Sequence, residues 1–110
     1  MSYDIIITPV FKRLFKKLAK KYPSLKNELD ILIDKLSEEP SLGVHLGQNL
    51  HKIRVSISSK NKGKSGGARV ISLILRKEEE VYLVYIYDKS ELDNLSKDEI
   101  SSILRELGLK

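Results

Sequence analysis

Lys52 and Arg54 lie two residues apart in a stretch whose apolar residues fall at Ile53, Val55 and Ile57. In an extended strand that alternation sends Lys52, Arg54, Ser56 and Ser58 to one face and the apolar set to the other. The apolar face is expected to pack on helices and the basic face to stay wet. Arg69 opens the next strand-like segment, and Tyr87 and Lys89 end the one after it. If the three strands are neighbours, Lys52, Arg54, Arg69, Tyr87 and Lys89 share one concave surface. A positive cluster of this kind suits a polyanion, either RNA or an acidic protein segment.

Other chemistries find little support. The chain has no cysteine, so thiolate nucleophiles, disulfides and sulfur-ligated zinc are excluded. His45 and His51 are six apart, not at the spacing of a helical metal pair, and no carboxylate cluster accompanies them. Each reads as a loop or strand-edge residue, with His51 the one beside the basic strand. No metal and no cofactor are expected. The letters Gly63-Lys64-Ser65 invite a nucleotide-binding loop, but the motif needs a glycine at Ser58 and a following helix where this chain has a strand. What remains between Ser58 and Gly67 is a glycine-rich basic loop. Its Lys60, Lys62 and Lys64 are candidates to hold RNA phosphates.

These residues need a framework. Asp4 to Thr8 is a short β-branched strand, and Thr8-Pro9 reads as an N-cap with proline at the first helical position. In the helix that follows, Val10, Phe11, Leu14, Phe15, Leu18 and Tyr22 recur at helical spacing, and lysines fill the remaining surface. No acidic residue stands between Asp4 and Glu28. Lys16 and Lys20 on this helix are further candidates for RNA contact. Pro23-Ser24 breaks the helix and caps a second, with Leu25, Leu29, Leu32, Ile33 and Leu36 on one stripe, so a helical hairpin is expected. Gly43 to Gln48 is irregular. Three strand segments then begin at Leu50, Ala68 and Val81, forming an antiparallel meander. Ser96-Lys-Asp-Glu99 has capping-box spacing, and Ile100, Ile103, Leu104 and Leu107 give the last helix one apolar stripe ending at Gly108.

The expected fold is therefore α+β in the order β-α-α-β-β-β-α, a largely antiparallel sheet packed on a helical hairpin, with residues 1–110 forming a single domain. Length and charge agree: 110 residues with 20 Lys+Arg against 15 Asp+Glu make one small basic domain with one modest core. No apolar run approaches the ~20 residues of a membrane span. The Met-Ser-Tyr-Asp start lacks the basic region of a secretory signal. A cytoplasmic protein is expected.

The run Leu50-His-Lys-Ile-Arg-Val-Ser, the segment from Lys60 through Gly66-Gly67 to Ala68-Arg-Val-Ile71, and Val81-Tyr-Leu-Val-Tyr-Ile-Tyr-Asp-Lys89 together resemble the RelE/ParE superfamily of bacterial toxins, especially its RelE/HigB-like branch. Element order and the Pro40-x-x-Gly43 segment fit as well, so the likeness covers nearly the whole chain. It implies a microbial-RNase-like fold and a type II toxin neutralised by a cognate antitoxin. The implied activity is ribosome-dependent mRNA cleavage, by metal-independent attack of a ribose 2′-OH on the adjacent phosphate. Lys52 and Arg54 fall where that family places basic active-site residues, and Arg69 on its phosphate-contacting arginine. Lys52 is the better base, because neighbouring cations ease proton loss from a lysine whereas an arginine keeps its charge. Arg54 and Arg69 would clamp the phosphate, and Lys89 or Tyr87 would protonate the leaving oxygen. The chain departs from the family pattern at Ser90 and near Ser96, where an arginine and a tyrosine are expected. The alternatives are a ParE-like inhibitor of DNA gyrase and an inactive homologue that only binds antitoxin.

Overall fold

The computed structural model describes residues 2–60, 67–92 and 94–109. Its elements are β1 (Asp4–Ile7), α1 (Pro9–Lys21), α2 (Leu25–Glu38), β2 (Val44–Gly47), β3 (Leu50–Val55), β4 (Ala68–Leu75), β5 (Glu80–Asp88) and α3 (Lys97–Glu106). The strands form a five-stranded sheet in the order β1-β5-β4-β3-β2. Only β1 is parallel to its neighbour; β2-β3, β3-β4 and β4-β5 are antiparallel.

Most of the expected elements form for the expected reasons. Thr8 caps α1, its hydroxyl accepting from Phe11 N–H at 3.3 Å and donating to the Leu83 carbonyl at 2.8 Å. That second bond ties the helix start to β5. At α3 both halves of the capping box are made, Ser96 Oγ with Glu99 N–H and Glu99 Oε1 with Ser96 N–H. The bond from Ser96 holds the Glu99 carboxyl below the usual carboxylate range. Ser24 stands at the start of α2 but does not cap it. Its hydroxyl bonds Glu28 Oε1 and Ser59 Oγ instead, fastening the segment after β3 to the helix layer.

Two features depart from the sequence reading. Val44–Gly47, expected to be irregular, is a short edge strand paired with β3. Its period is hidden because the tight turn into β3 uses Gly47, Gln48 and Asn49 at positive φ. The basic face of the sheet is also not wholly wet. One core lies between the sheet and α1 and α2, with Phe11, Leu36, Val70, Ile74 and Leu83 fully buried. A second lies on the opposite face, where Leu104 and Ile100 of α3 pack with Leu50, Ile71, Leu73 and Val84. Hydrophobic periodicity says that a helix buries one stripe and leaves open which sheet face receives it. With layers on both sides, β4 is buried along nearly its whole length.

β3 is gripped near its two ends by glycines. At Gly43, with φ at +97°, an added Cβ would meet the Lys52 carbonyl, and at Gly67 it would collide with the Val55 carbonyl. Both glycines permit a close backbone approach that fixes the strand carrying Lys52 and Arg54.

His51 also points into the helix-side face, 5 % exposed and without a partner at Nδ1. Its ring lies 4.9 Å from that of His45, its cross-strand neighbour. Burial first, then the His45 and Arg76 charges, hold its pKa below the ordinary 6.5. Above pH 6.5 His51 is neutral folded or unfolded, and below it the unfolded chain takes a proton that the folded chain resists. Stability should therefore fall as pH drops through that value. Urea melts at pH about 7.5 and 5.5 should show the loss in the native chain and less of it in His51→Gln; equal slopes would refute the assignment. Gly43→Ala combines a positive φ with a backbone collision, and should cost about 1–3 kcal/mol, seen as a lower thermal midpoint.

Candidate active site

The sheet register assembles the basic residues. Arg54 of β3 is the direct partner of Arg69 of β4, and Arg69 is the direct partner of Tyr87 of β5. One step along, Lys52, Ile71 and Tyr85 form the next row. Directly opposed side chains share a face with Cβ atoms about 5 Å apart, so Lys52, Arg54, Arg69 and Tyr87 occupy two adjacent rows. Lys89 lies just beyond β5, half-buried, its backbone N–H on the Gly67 carbonyl at 3.1 Å. That bond closes the two ends of the site, since Gly67 leads directly into Arg69.

The electrostatics of these rows are unusual. Arg69 is 8 % exposed, and its Nη1 donates to the Ala68 carbonyl at 3.2 Å. Its neighbour across the strand pair is another arginine, an arrangement that destabilises a sheet. Among the described residues, no carboxylate lies within ion-pair distance of Lys52, Arg54 or Arg69. A guanidinium withdrawn from water without a counter-charge is costly, and an anion held between Arg54 and Arg69 would repay that cost. No cluster of three or more His, Cys, Asp or Glu side chains that could hold a metal occurs among the described residues.

Several positioning groups carry no recognisable sequence signal. Lys52 Nζ donates to Asn94 Oδ1 at 3.2 Å, across 42 residues of chain. Asn94 sits in the segment between β5 and α3, where nothing in its neighbours marks it. Asp88 is 2 % exposed and accepts from Ser90 N–H at 2.9 Å, Ser90 Oγ at 2.8 Å and the Tyr22 hydroxyl at 3.1 Å. This network fixes the turn that bears Lys89. Ser90, where the resemblance leads one to expect arginine, thus has its hydroxyl bound into the turn.

The remaining expected contacts lie elsewhere. Lys60 ends a short 3-10 turn, and its side chain, with all of Lys62 and Lys64, lies outside the described residues. Lys16 and Lys20 stand on α1, which packs on the other face of the sheet. They help rim a groove of about 750 Å³ between α1 and α2. Its floor is apolar, from Ile7, Phe11, Phe15 and Leu29, and its rim carries Lys12, Lys17 and Lys26 as well. His51 alternates to the opposite face from Lys52 and Arg54, away from the arginine row.

Comparison with known proteins gives two results. A family model described as the RelE toxin of the RelE / RelB toxin–antitoxin system matches residues 8–108. Among solved structures, that of the E. coli toxin RelE, a double arginine-to-alanine mutant in the free state, superposes with a TM-score of 0.61 at 14 % identity. The match covers 97 % of this chain and 99 % of that one. At this identity the structural likeness speaks for the fold.

The unbalanced burial of Arg69 has a measurable consequence. Arg69→Met, which keeps the length and removes the charge, should stabilise the isolated protein by about 1 kcal/mol or more in thermal or urea melts. A clear loss of stability would show that the guanidinium is a structural tie.

Proposed function

Since this chain belongs to the RelE toxin family, over residues 8–108, a family paired with an antitoxin, we propose that it is a ribosome-dependent mRNA endoribonuclease of the bacterial cytoplasm. The observation that carries this reading is the row Arg54–Arg69–Tyr87, two arginines side by side on a sheet face with no carboxylate to balance them among the described residues. Dependence on the ribosome is what the family likeness adds.

The reaction needs three services. A base takes the proton of the ribose 2′-OH, cations stabilise the phosphorane, and an acid protonates the departing 5′ oxygen. The 2′ oxygen then bonds to phosphorus as the bond to the 5′ oxygen breaks, leaving a cyclic phosphate and a free 5′-OH. Lys52 is the base. Its partner Asn94 is a neutral acceptor, which orients the amine without the opposing charge that a carboxylate would supply. Arg54 and Arg69 clamp the phosphate through their forked N–H groups. Lys89 is the more accessible acid, since Tyr87 is 6 % exposed with a buried hydroxyl. The scheme calls for neither metal nor cofactor.

Outside the catalytic rows, Lys60, Lys62 and Lys64 hold the message backbone. Lys16 and Lys20 meet ribosomal RNA from the helix side. The groove that they rim has an apolar floor and a lysine border, which suits an acidic amphipathic helix of the antitoxin. Occupation of that groove would take the same lysines away from RNA.

Purified protein added to ribosomes translating a defined mRNA should yield new 5′ ends at fixed codon positions, with none on naked mRNA. Arg69→Ala should reduce cleavage at least about 100-fold while melting cooperatively. Undiminished cleavage would remove Arg69 from the mechanism. No cuts by the native chain, with translation unaffected, would favour an inactive antitoxin-binding homologue or a gyrase inhibitor.

A further inference from the structure

His45 and His51 have no helical spacing, yet the turn through Gly47, Gln48 and Asn49 folds β2 back on β3 and makes them direct cross-strand partners. Their rings stand 4.9 Å apart, inclined at 34°. The next strand continues the row, since Ser72 of β4 is the direct partner of His51. His45, His51 and Ser72 thus run along one face from the exposed edge of the sheet into its core. His51 Nδ1 and Ser72 Oγ are both buried without a hydrogen-bond partner. Buried polar groups are nearly always satisfied, so two such atoms in adjacent strands call for an explanation.

The spacing of the rings supplies one. An ion about 2.0–2.1 Å from a ring nitrogen stands roughly 3.2 Å from that ring's centre, so two rings holding it at right or tetrahedral angles have centres about 4.5–5.2 Å apart. The observed 4.9 Å falls within that span. Imidazole suits zinc, nickel and copper, whereas magnesium and calcium take oxygen ligands. A ligating imidazole gives its second ring N–H to an acceptor, which fixes its tautomer. Ser72 Oγ is the acceptor that the row sets beside His51. Against a cation stands Arg76, whose charge acts on His51 and whose Nη2 donates to Ser41 Oγ at 3.3 Å.

We propose that His45 and His51 form a two-imidazole site for a divalent transition-metal ion of the zinc and nickel class, with Ser72 accepting from His51 Nδ1–H and water completing the coordination. The site stands independently of the nuclease reading. It lies on the opposite face from Lys52 and Arg54, so the ion stays out of the arginine row. Its effect is to clamp the edge strand β2 to the strand that carries those two residues.

The untagged chain, stripped of metal by a chelator, is titrated with zinc chloride in a calorimeter while the histidine rings are followed in nitrogen-15 spectra. With only two histidines in the chain, one substitution assigns both ring signals. Zinc should bind at one ion per chain, shift both rings together and raise the thermal midpoint; magnesium should do none of these. His45 is exposed, so His45→Gln should melt like the native chain without metal, yet bind zinc about tenfold or more weakly. Arg76→Gln should tighten binding by removing an opposing charge. Ser72→Ala should weaken it, and unaltered affinity would refute the part given to Ser72. Rings unmoved by a large excess of zinc, undiminished affinity in His45→Gln, or one ion per two chains would overturn the site.

Discussion

A guanidinium held out of water in the middle of a sheet, facing another guanidinium, is a local instability that the rest of the chain must hold in place. Arg69 occupies that position on β4, flanked by Arg54 and Tyr87. The opposing force comes from the other face, where a large apolar cluster binds β3, β4 and β5 to α1 and α2. Burial of that surface is non-directional and far exceeds the cost of one misplaced charge. The sheet can therefore present cations on one side because it is anchored on the other. The smaller core under α3 covers only part of the cationic face, and leaves Lys52 partly exposed and Arg54 exposed.

Positions within this arrangement are fixed by backbone devices more than by side-chain pairing. Gly43 and Gly67 bring neighbouring chain against the carbonyls of Lys52 and Val55. The Gly67 carbonyl receives the Lys89 N–H, and Asp88 fixes the turn that follows. Among the described residues, Lys52, Arg54 and Arg69 form no ion pair, so their placement rests on the backbone.

Alternation in β3, the cap at Thr8 and the capping box at Ser96 were legible because each is a local pattern with a local cause. The shared face of Lys52 and Arg54 was legible for the same reason. The direct pairing of Arg54 with Arg69 and of Arg69 with Tyr87 required the strand register, which depends on how the intervening loops close and on the packing of both faces. β2 was hidden because its pairing with β3 rests on a turn with three positive-φ residues and not on alternation. That α3 would cover part of the basic face could not be read from its own stripe. Asn94 and the bond from Tyr22 to Asp88 escaped notice because the partners lie 42 and 66 residues apart in the chain. The helix-side lysines were visible as charges, while the apolar floor between them exists only once α1 and α2 are placed together.

The segment joining β3 to β4 leaves and rejoins the framework at two independent moorings. On departure, Ser58 N–H bonds Glu28 and Ser59 bonds Ser24, both on the helix layer. On return, Gly67 is seated against β3 and bonded to Lys89. The closure entropy of such a connection grows only slowly with its length. Between these moorings evolution can lengthen, shorten or recharge the segment without disturbing the arginine row. The length and charge of this connection can thus vary while the strands on either side stay in register, and a designer could graft a foreign loop at the same two points.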